Sequence, residues 1–290
     1  MCIRDSSLGG SLYAAHFMEP ITGMTEVVSL RKKSDVANAV LAHINIVETH
    51  FSASQYRVKA LRCDRAKENY PEEVRSLKLE RGIQIHFSPS YAPESNGTAE
   101  RLVQENWTRA RILLHISEFL FQLWAEALHH ANWLRNRTPN SRISADIPLL
   151  LWDKNPRIDL KSLLNFGQAR YAFIYYPKTQ PEKKLLPRSE FSRFVGMDSD
   201  VHLARVYVPA TNTVRTVRVA DFHLLKGNRL PNISSFLDGL ARQQEFEVNK
   251  QIFNEEDVED SLVKCMINIH HEHHSHILNF LENRDARNFQ

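Results

Sequence analysis

The stretch Ile83-Gln84-Ile85-His86-Phe87-Ser88-Pro89-Ser90-Tyr91-Ala92-Pro93-Glu94-Ser95-Asn96-Gly97-Thr98-Ala99-Glu100-Arg101 runs from an alternating apolar segment, through a loop, into a helix start. Ile83, Ile85 and Phe87 alternate with polar residues, the period of two that marks a half-buried strand. Ser, Pro, Asn and Gly then dominate, residues that favour turns. Asn96 suits an N-cap, and Leu102, Val103, Ala110, Leu113 and Leu114 follow at helical spacing. Glu100 therefore falls on the first turn of a helix, where the positive end of the dipole favours its ionised form.

Upstream, Tyr56-Arg57-Val58-Lys59-Ala60-Leu61-Arg62-Cys63 alternates in the same way and reads as a strand ending at Asp64. Asp64 and Glu100, with 35 residues between them, are the two candidate carboxylates. Ionised carboxylates on a strand and a helix are what a hard divalent cation needs. Their spacing alone carries little weight in a chain with 34 acidic residues. Acids at strand ends and helix starts are also ordinary structural features.

The surrounding pattern carries more. Ser88-Pro89, Pro93, Asn96-Gly97 and Ala99-Glu100-Arg101, in that order after a short strand, resemble the catalytic core of integrases from copia-type retrotransposons. In that resemblance Asp64 and Glu100 match the second and third members of an Asp, Asp, Glu triad. The family's first Asp lies on a strand about ten residues before a Gly-Gly turn. Here that turn is Gly9-Gly10, so the expected strand falls before Met1 and the core is expected to be N-terminally truncated. Asp5 would substitute only with a re-registered strand. Two further departures stand out. Arg65-Ala66-Lys67-Glu68 replaces the family's Asn-Gly-Gly-Glu, and Leu102-Val103-Gln104 replaces a Lys-Asn-Arg run expected to face DNA.

Working outward, Ser11 to Glu19 and Met24 to Leu30 read as an antiparallel hairpin after Gly9-Gly10. Ser34-Asp35-Val36 opens an amphipathic helix with Val36, Val40, Leu41, Ile44 and Val47 on one side. Tyr70 to Glu80 and Phe119 to Arg137 read as further helices, the latter gathering Phe121, Trp124, Ala125, Leu128, Ala131 and Leu134. These aromatics read as core. From Phe166 the period changes to two, giving short strands at Arg170–Tyr176, Phe191–Gly196, Arg205–Val208 and Val214–Val219. Trp124-Ala125-Glu126-Ala127, Asn136-Arg137-Thr138-Pro139, Phe166-Gly167 and Val206-Tyr207 extend the resemblance.

The fold class expected is therefore α/β: a ribonuclease H-like integrase catalytic core over 1–145, a linker over 146–165, and a small SH3-like β-barrel over 166–226. An acidic, partly disordered or helical tail over 227–290 completes the chain. That tail holds 11 acidic and 6 basic residues, against 31 basic and 23 acidic before it. A basic body suits a polyanion.

What the resemblance implies is DNA strand transfer in a parent polyprotein, impaired or inactive in this chain, with Mg2+ or Mn2+ held by Asp64 and Glu100. Two such metals, about 3.5–4 Å apart, activate the attacking oxygen and stabilise the leaving one. Lys59, Lys67, Asn96, Arg101, Arg109 and Arg111 are the candidate DNA contacts. Partners would be double-stranded DNA, both element ends and target, and further copies of the chain. The competing expectation is a non-catalytic nucleic-acid-binding or assembly module. Cys2, Cys63 and Cys265 stand far apart with no paired spacing, which points to neither a disulfide framework nor a zinc knuckle. There is no apolar run of about 18 residues and no signal-peptide core, so no membrane role is expected. An intracellular setting follows, with the nucleus, or a cytoplasmic particle, as the place an integrase would work. His270 to His276 lacks the His-Glu-x-x-His spacing and is assigned no role.

Overall fold

The Gly9-Gly10 turn leads into β1 (Tyr13–Met18), which pairs antiparallel with β2 (Thr25–Leu30) from Tyr13↔Leu30 to Met18↔Thr25. The computed structural model describes residues 6–52, 57–63, 80–87, 97–144, 146–153, 164–173, 188–198, 202–223 and 263–268. Glu19 fixes the hairpin's connection, its carboxylate accepting from the Ile21 and Thr22 amides and from Thr22 Oγ1. Burial raises the Glu19 pKa, and those hydrogen bonds pull it back down.

Next comes α1 (Val36–His50), preceded by a 3-10 turn at Lys33–Asp35. Its Val36, Val40, Ile44 and Val47 pack against Ala15 and Phe17 of β1, Leu61 of β3 (Ala60–Cys63) and Ile83, just ahead of β4 (Gln84–Phe87). Ala14 and Val27 face the other way, into Val103, Trp107, Ala110 and Leu114 of α2 (Gly97–Ser117) and Trp124, Leu128 and Ala131 of α3 (Trp124–Arg135). The alternation along β1 thus produces three layers, with α1 on one face of the sheet and α2 and α3 on the other. The second long helix begins later than its apolar pattern implies. Phe121–Leu123 forms a 3-10 turn first, and the helix ends at Arg135. The short helix α4 (Pro148–Trp152) starts with Pro at its first turn and packs Trp152 beside Phe51.

The second sheet is antiparallel: β5 (Ala169–Phe173), β6 (Ser189–Met197), β7 (Leu203–Val208), β8 (Thr213–Arg218) and β9 (Phe222–His223), in the order β8-β7-β6-β5-β9. Asn212, at φ +48°, makes the turn between β7 and β8, and Tyr207 donates its hydroxyl to Asn212 Oδ1. Among the described residues β8 and β9 do not pair, so closure into the expected barrel is not seen.

The largest departure from the sequence reading is in the first sheet, whose order is β2-β1-β10-β3-β4. Its central strand is β10 (Val263–Asn268), from the segment expected to be a partly disordered or helical tail. It runs parallel to β1 (Ala15↔Val263, His16↔Lys264) and antiparallel to β3 (Cys63↔Cys265 to Ala60↔Asn268). β3 and β4 are parallel. The tail's acidic excess hid a short apolar run, Val263 to Ile267, that is long enough for one strand.

Candidate active site at the start of helix α2

Glu100 lies in the first turn of α2 and is half-buried. The helix is anchored there by its apolar side. Leu102 packs on Met18, and Val103 is buried with Trp107. Leu102 and Val103 stand where the resemblance expects a run facing DNA, but they are core residues, as their apolar spacing implies, and only Gln104 of that trio is exposed. One turn further, Asn106 Nδ2 approaches His16 Nδ1 at 3.5 Å. The first two turns of α2 thus cover the C-terminal half of β1.

The ladder registers place the end of β3 at the same level. His16 is opposite Lys264, and Cys63, one residue before Asp64, is opposite Cys265, the next residue of β10. Asp64 itself lies outside the described residues, as do Lys67, Asn96 and Asp5, the loop Ser88–Asn96 and His270–His276. Among the described residues no group of three or more His, Cys, Asp or Glu forms a metal-holding cluster. The donor chemistry of Asp64 and Glu100, oxygen only, fits a hard divalent cation.

The four remaining cationic candidates differ in what they touch. Arg101 and Arg111 lie on an exposed stripe of α2 with Gln104, Thr108 and His115, and Arg111 Nη2 donates to Thr108 Oγ1 at 3.2 Å. Arg109 is half-buried and pairs with Glu105 at 2.6 Å, one turn away. Lys59 is exposed just ahead of β3. Arg101 and Arg111 are thus displayed to solvent, whereas Arg109 already has a carboxylate.

Beneath the site is a buried polar network that periodicity did not reveal. Asn136 Nδ2 donates to Thr25 O at 2.7 Å and Asn136 Oδ1 accepts from Thr25 N at 3.0 Å, while Asn132 Nδ2 also donates to Thr25 O. Arg135 reaches Gly23 O at 3.0 Å and Glu105 at 3.5 Å. These bonds tie the start of β2 to the last turn of α3 and fix α3 against the sheet that α2 also covers. His16 Nε2 and Asn106 Oδ1 have no protein partner within the network. Burial, then the neighbouring His129, lowers the His16 pKa to about 3, so the imidazole is neutral. The only sequence signal was Asn136-Arg137-Thr138-Pro139, which gave no hint of a partner more than a hundred residues away.

Among the described residues no helix is long and apolar enough to cross a membrane. No family model matches the chain. It is similar to the Retrovirus-related Pol polyprotein from transposon TNT 1-94 of Nicotiana tabacum, 26% identical over 208 residues, or 72% of this chain and 15% of that protein. A second relative is the Retrovirus-related Pol polyprotein from transposon RE2 of Arabidopsis thaliana, 26% identical over 191 residues, or 66% of this chain and 12% of that protein. The chain therefore spans only a small part of either relative's length. Among solved structures it is similar to a chain of the simian T-cell lymphotropic virus intasome in complex with PP2A regulatory subunit B56 gamma, with TM-score 0.38 and 14% identity over 72% of this chain and 70% of that one. The sequence similarities make this chain a distant, low-identity relative of retrotransposon Pol polyproteins.

Proposed function

We propose that the chain is the integrase region of a copia-type retrotransposon polyprotein, and that its parent protein joins element DNA to target DNA by metal-dependent strand transfer. The observation that carries this reading is the similarity to two plant retrotransposon Pol polyproteins over 72% and 66% of the chain. It is supported by the Ser88-to-Arg101 motif and by Glu100 standing on the first turn of α2. In this reading the three-layer part is a ribonuclease H-like core and the second sheet an SH3-like barrel. Asp64 and Glu100 hold Mg2+ or Mn2+, and the metal supplies activation of the attacking oxygen and stabilisation of the leaving one. Arg101 and Arg111, with Lys59, Lys67 and Asn96, contact phosphates. Work on two DNA ends calls for an oligomer, and the setting is the nucleus.

One observation favours a second reading, a non-catalytic DNA-binding or assembly module. Within Val263–Asn268, the described central strand of the first sheet, no residue carries a carboxylate. Transfer by this chain is therefore expected to be weak or absent, with DNA binding retained. The test is strand transfer on a labelled element-end duplex with manganese, run beside Glu100→Gln, with binding followed across a salt series. Transfer that vanishes in Glu100→Gln establishes a working carboxylate site. Salt-sensitive binding without transfer in either protein establishes the binding module. Absence of DNA binding in both would sink the two readings together.

A further inference from the structure

The loop between β2 and α1 carries Arg31-Lys32-Lys33-Ser34, three cations in a row followed by a hydroxyl, and all four residues are exposed. It takes no part in the metal site or the DNA contacts of the proposed function. An arginine three residues ahead of a serine or threonine, with further cations between, is the charge pattern that basophilic protein kinases select. Arginine stands at that distance from a hydroxyl at three places in the chain, ahead of Ser7, Ser34 and Thr138. The structure separates them. Ser7 is buried and its Oγ accepts from Ser11 N at 2.9 Å. Thr138 donates to Arg135 O at 3.3 Å, and Arg135 itself is buried, with its guanidinium on Gly23 O and Glu105. At Ser34 the hydroxyl residue, the arginine and both lysines between them are open to solvent, and Arg31 makes only a long, exposed contact of 3.4 Å to Gly9 O. Ser34 also has a place in a helix. Lys33–Asp35 is a 3-10 turn that passes directly into α1, so Ser34 is second in a continuous helical run that ends at His50. A phosphate there would put negative charge at the positive end of the helix, beside Arg31, Lys32 and Lys33.

We propose that Ser34 is a phosphorylation site for a basophilic protein kinase, and that its phosphate strengthens the start of α1. In the transfer, Ser34 Oγ bonds to the γ-phosphorus of ATP as the bond from that phosphorus to the β–γ bridging oxygen breaks. ADP leaves, and the hydroxyl proton passes to a base of the kinase. The phosphate offsets most of the positive charge of Arg31-Lys32-Lys33, carrying about −1.5 to −2 near neutral pH. The proposal stands on the exposure of residues 31–34 and is independent of whether the chain acts on DNA.

The experiment incubates the full-length chain with magnesium, ATP and the catalytic subunit of cyclic-AMP-dependent protein kinase, and locates phosphate by mass spectrometry of peptides. Ser34→Ala, Ser34→Thr, Arg31→Ala and a heat-unfolded sample of the unmodified chain run beside it. The expected result is phosphate on Ser34 of the folded chain, lost from that peptide in Ser34→Ala and restored in Ser34→Thr. The initial rate should fall about tenfold or more in Arg31→Ala, the worth of one charge-assisted contact to the kinase. In the phosphorylated chain, amide exchange over residues 35–39 should slow by about 2- to 5-fold, the factor that a charge at a helix end supplies. No transfer to Ser34 in the folded chain, transfer only after heat unfolding, preference for Ser7 or Thr138, or a rate indifferent to Arg31→Ala would each overturn the site. Phosphate on Ser34 with exchange over residues 35–39 unchanged or faster would overturn its effect on α1.

Discussion

Gly167 shows how much can rest on one missing Cβ. It sits at φ +82°, where an L side chain is strained, and a Cβ there would overlap the Ser117 side chain and lie 3.2 Å from Ser117 Cα. Its carbonyl accepts from Arg193 Nε at 3.0 Å, and the same guanidinium donates to Ser117 O and lies over the Phe119 ring. Gly167→Ala is therefore expected to destabilise the protein by about 2–4 kcal/mol, through strain and forced separation of α2 from the second sheet. A lowered urea midpoint with unchanged m-value checks this. The buried histidines give a pH dependence. Burial lowers His130 to about 4, and burial followed by His129 lowers His16 to about 3. Unfolded, both titrate near the ordinary histidine value, so below it the unfolded chain binds more protons. Their contribution is present in full above pH ~6.5 and is lost as pH falls toward 4, at roughly 1.4 kcal/mol per pH unit for each. Glu19, raised by burial, works in the opposite sense at the acid end. Replacing His130 with Gln should flatten the fall of the urea midpoint between pH 6.5 and 4.5. An unchanged slope would mean that His130 is protonated in the folded protein.

At the scale of elements, most of the first half was legible because its strands and helices carry their own periodicity. The β1–β2 hairpin, α1, β3, β4 and α2 fall where alternation and helical spacing put them, and Glu100 sits on its predicted first turn. The strands from Ala169 to Arg218 were legible for the same reason. What the sequence did not disclose are pairings at long range. Nothing local to Val263–Asn268 announces that it belongs between β1 and β3, and its lysine and the acidic composition around it point elsewhere. The candidate site was legible only in part: the apolar spacing marks Leu102 and Val103 as the buried side of α2, but it does not say that Met18 of β1 is what Leu102 covers. The central position of β10 has a testable cost. Ile267→Pro removes a ladder amide from an internal strand, a change sheets tolerate only at edges. It is expected to speed amide exchange in residues 60–63 more than in β6 and β7. Unaltered exchange in 60–63 would show that β3 does not depend on β10.

The molecule as a whole is held together across α3, one side of which belongs to each sheet. Trp124 and Leu128 pack into the first core, whereas His130 stacks on Phe166 and lies edge-on to Phe194 of β6. Gly196, at φ +147° where the β6–β7 register shifts, lets β6 approach the His130 Cβ within reach of ordinary contact. Arg205 of β7 makes a two-pronged bond to Glu126, Nε to Oε2 at 2.7 Å and Nη2 to Oε1 at 2.6 Å. That bond raises the Arg205 pKa. Phe166, Val195 and Tyr207 complete the core that α2 and α3 build. An interface this apolar, clamped by a bidentate ion pair, predicts one cooperative unit and not two domains on a tether. The tryptophans make this measurable. All four, Trp107, Trp124, Trp133 and Trp152, lie on α2, α3 and α4, so their fluorescence follows the first part and the core it shares with the second sheet, while amide exchange in β6 and β7 reports the second. Their denaturant midpoints are expected to coincide. Glu126→Gln, which leaves Arg205 facing a neutral amide, should lower both together by about 1–3 kcal/mol. A shift confined to β6 and β7 would instead mean that the second sheet opens by itself, with the clamp serving only to keep it docked.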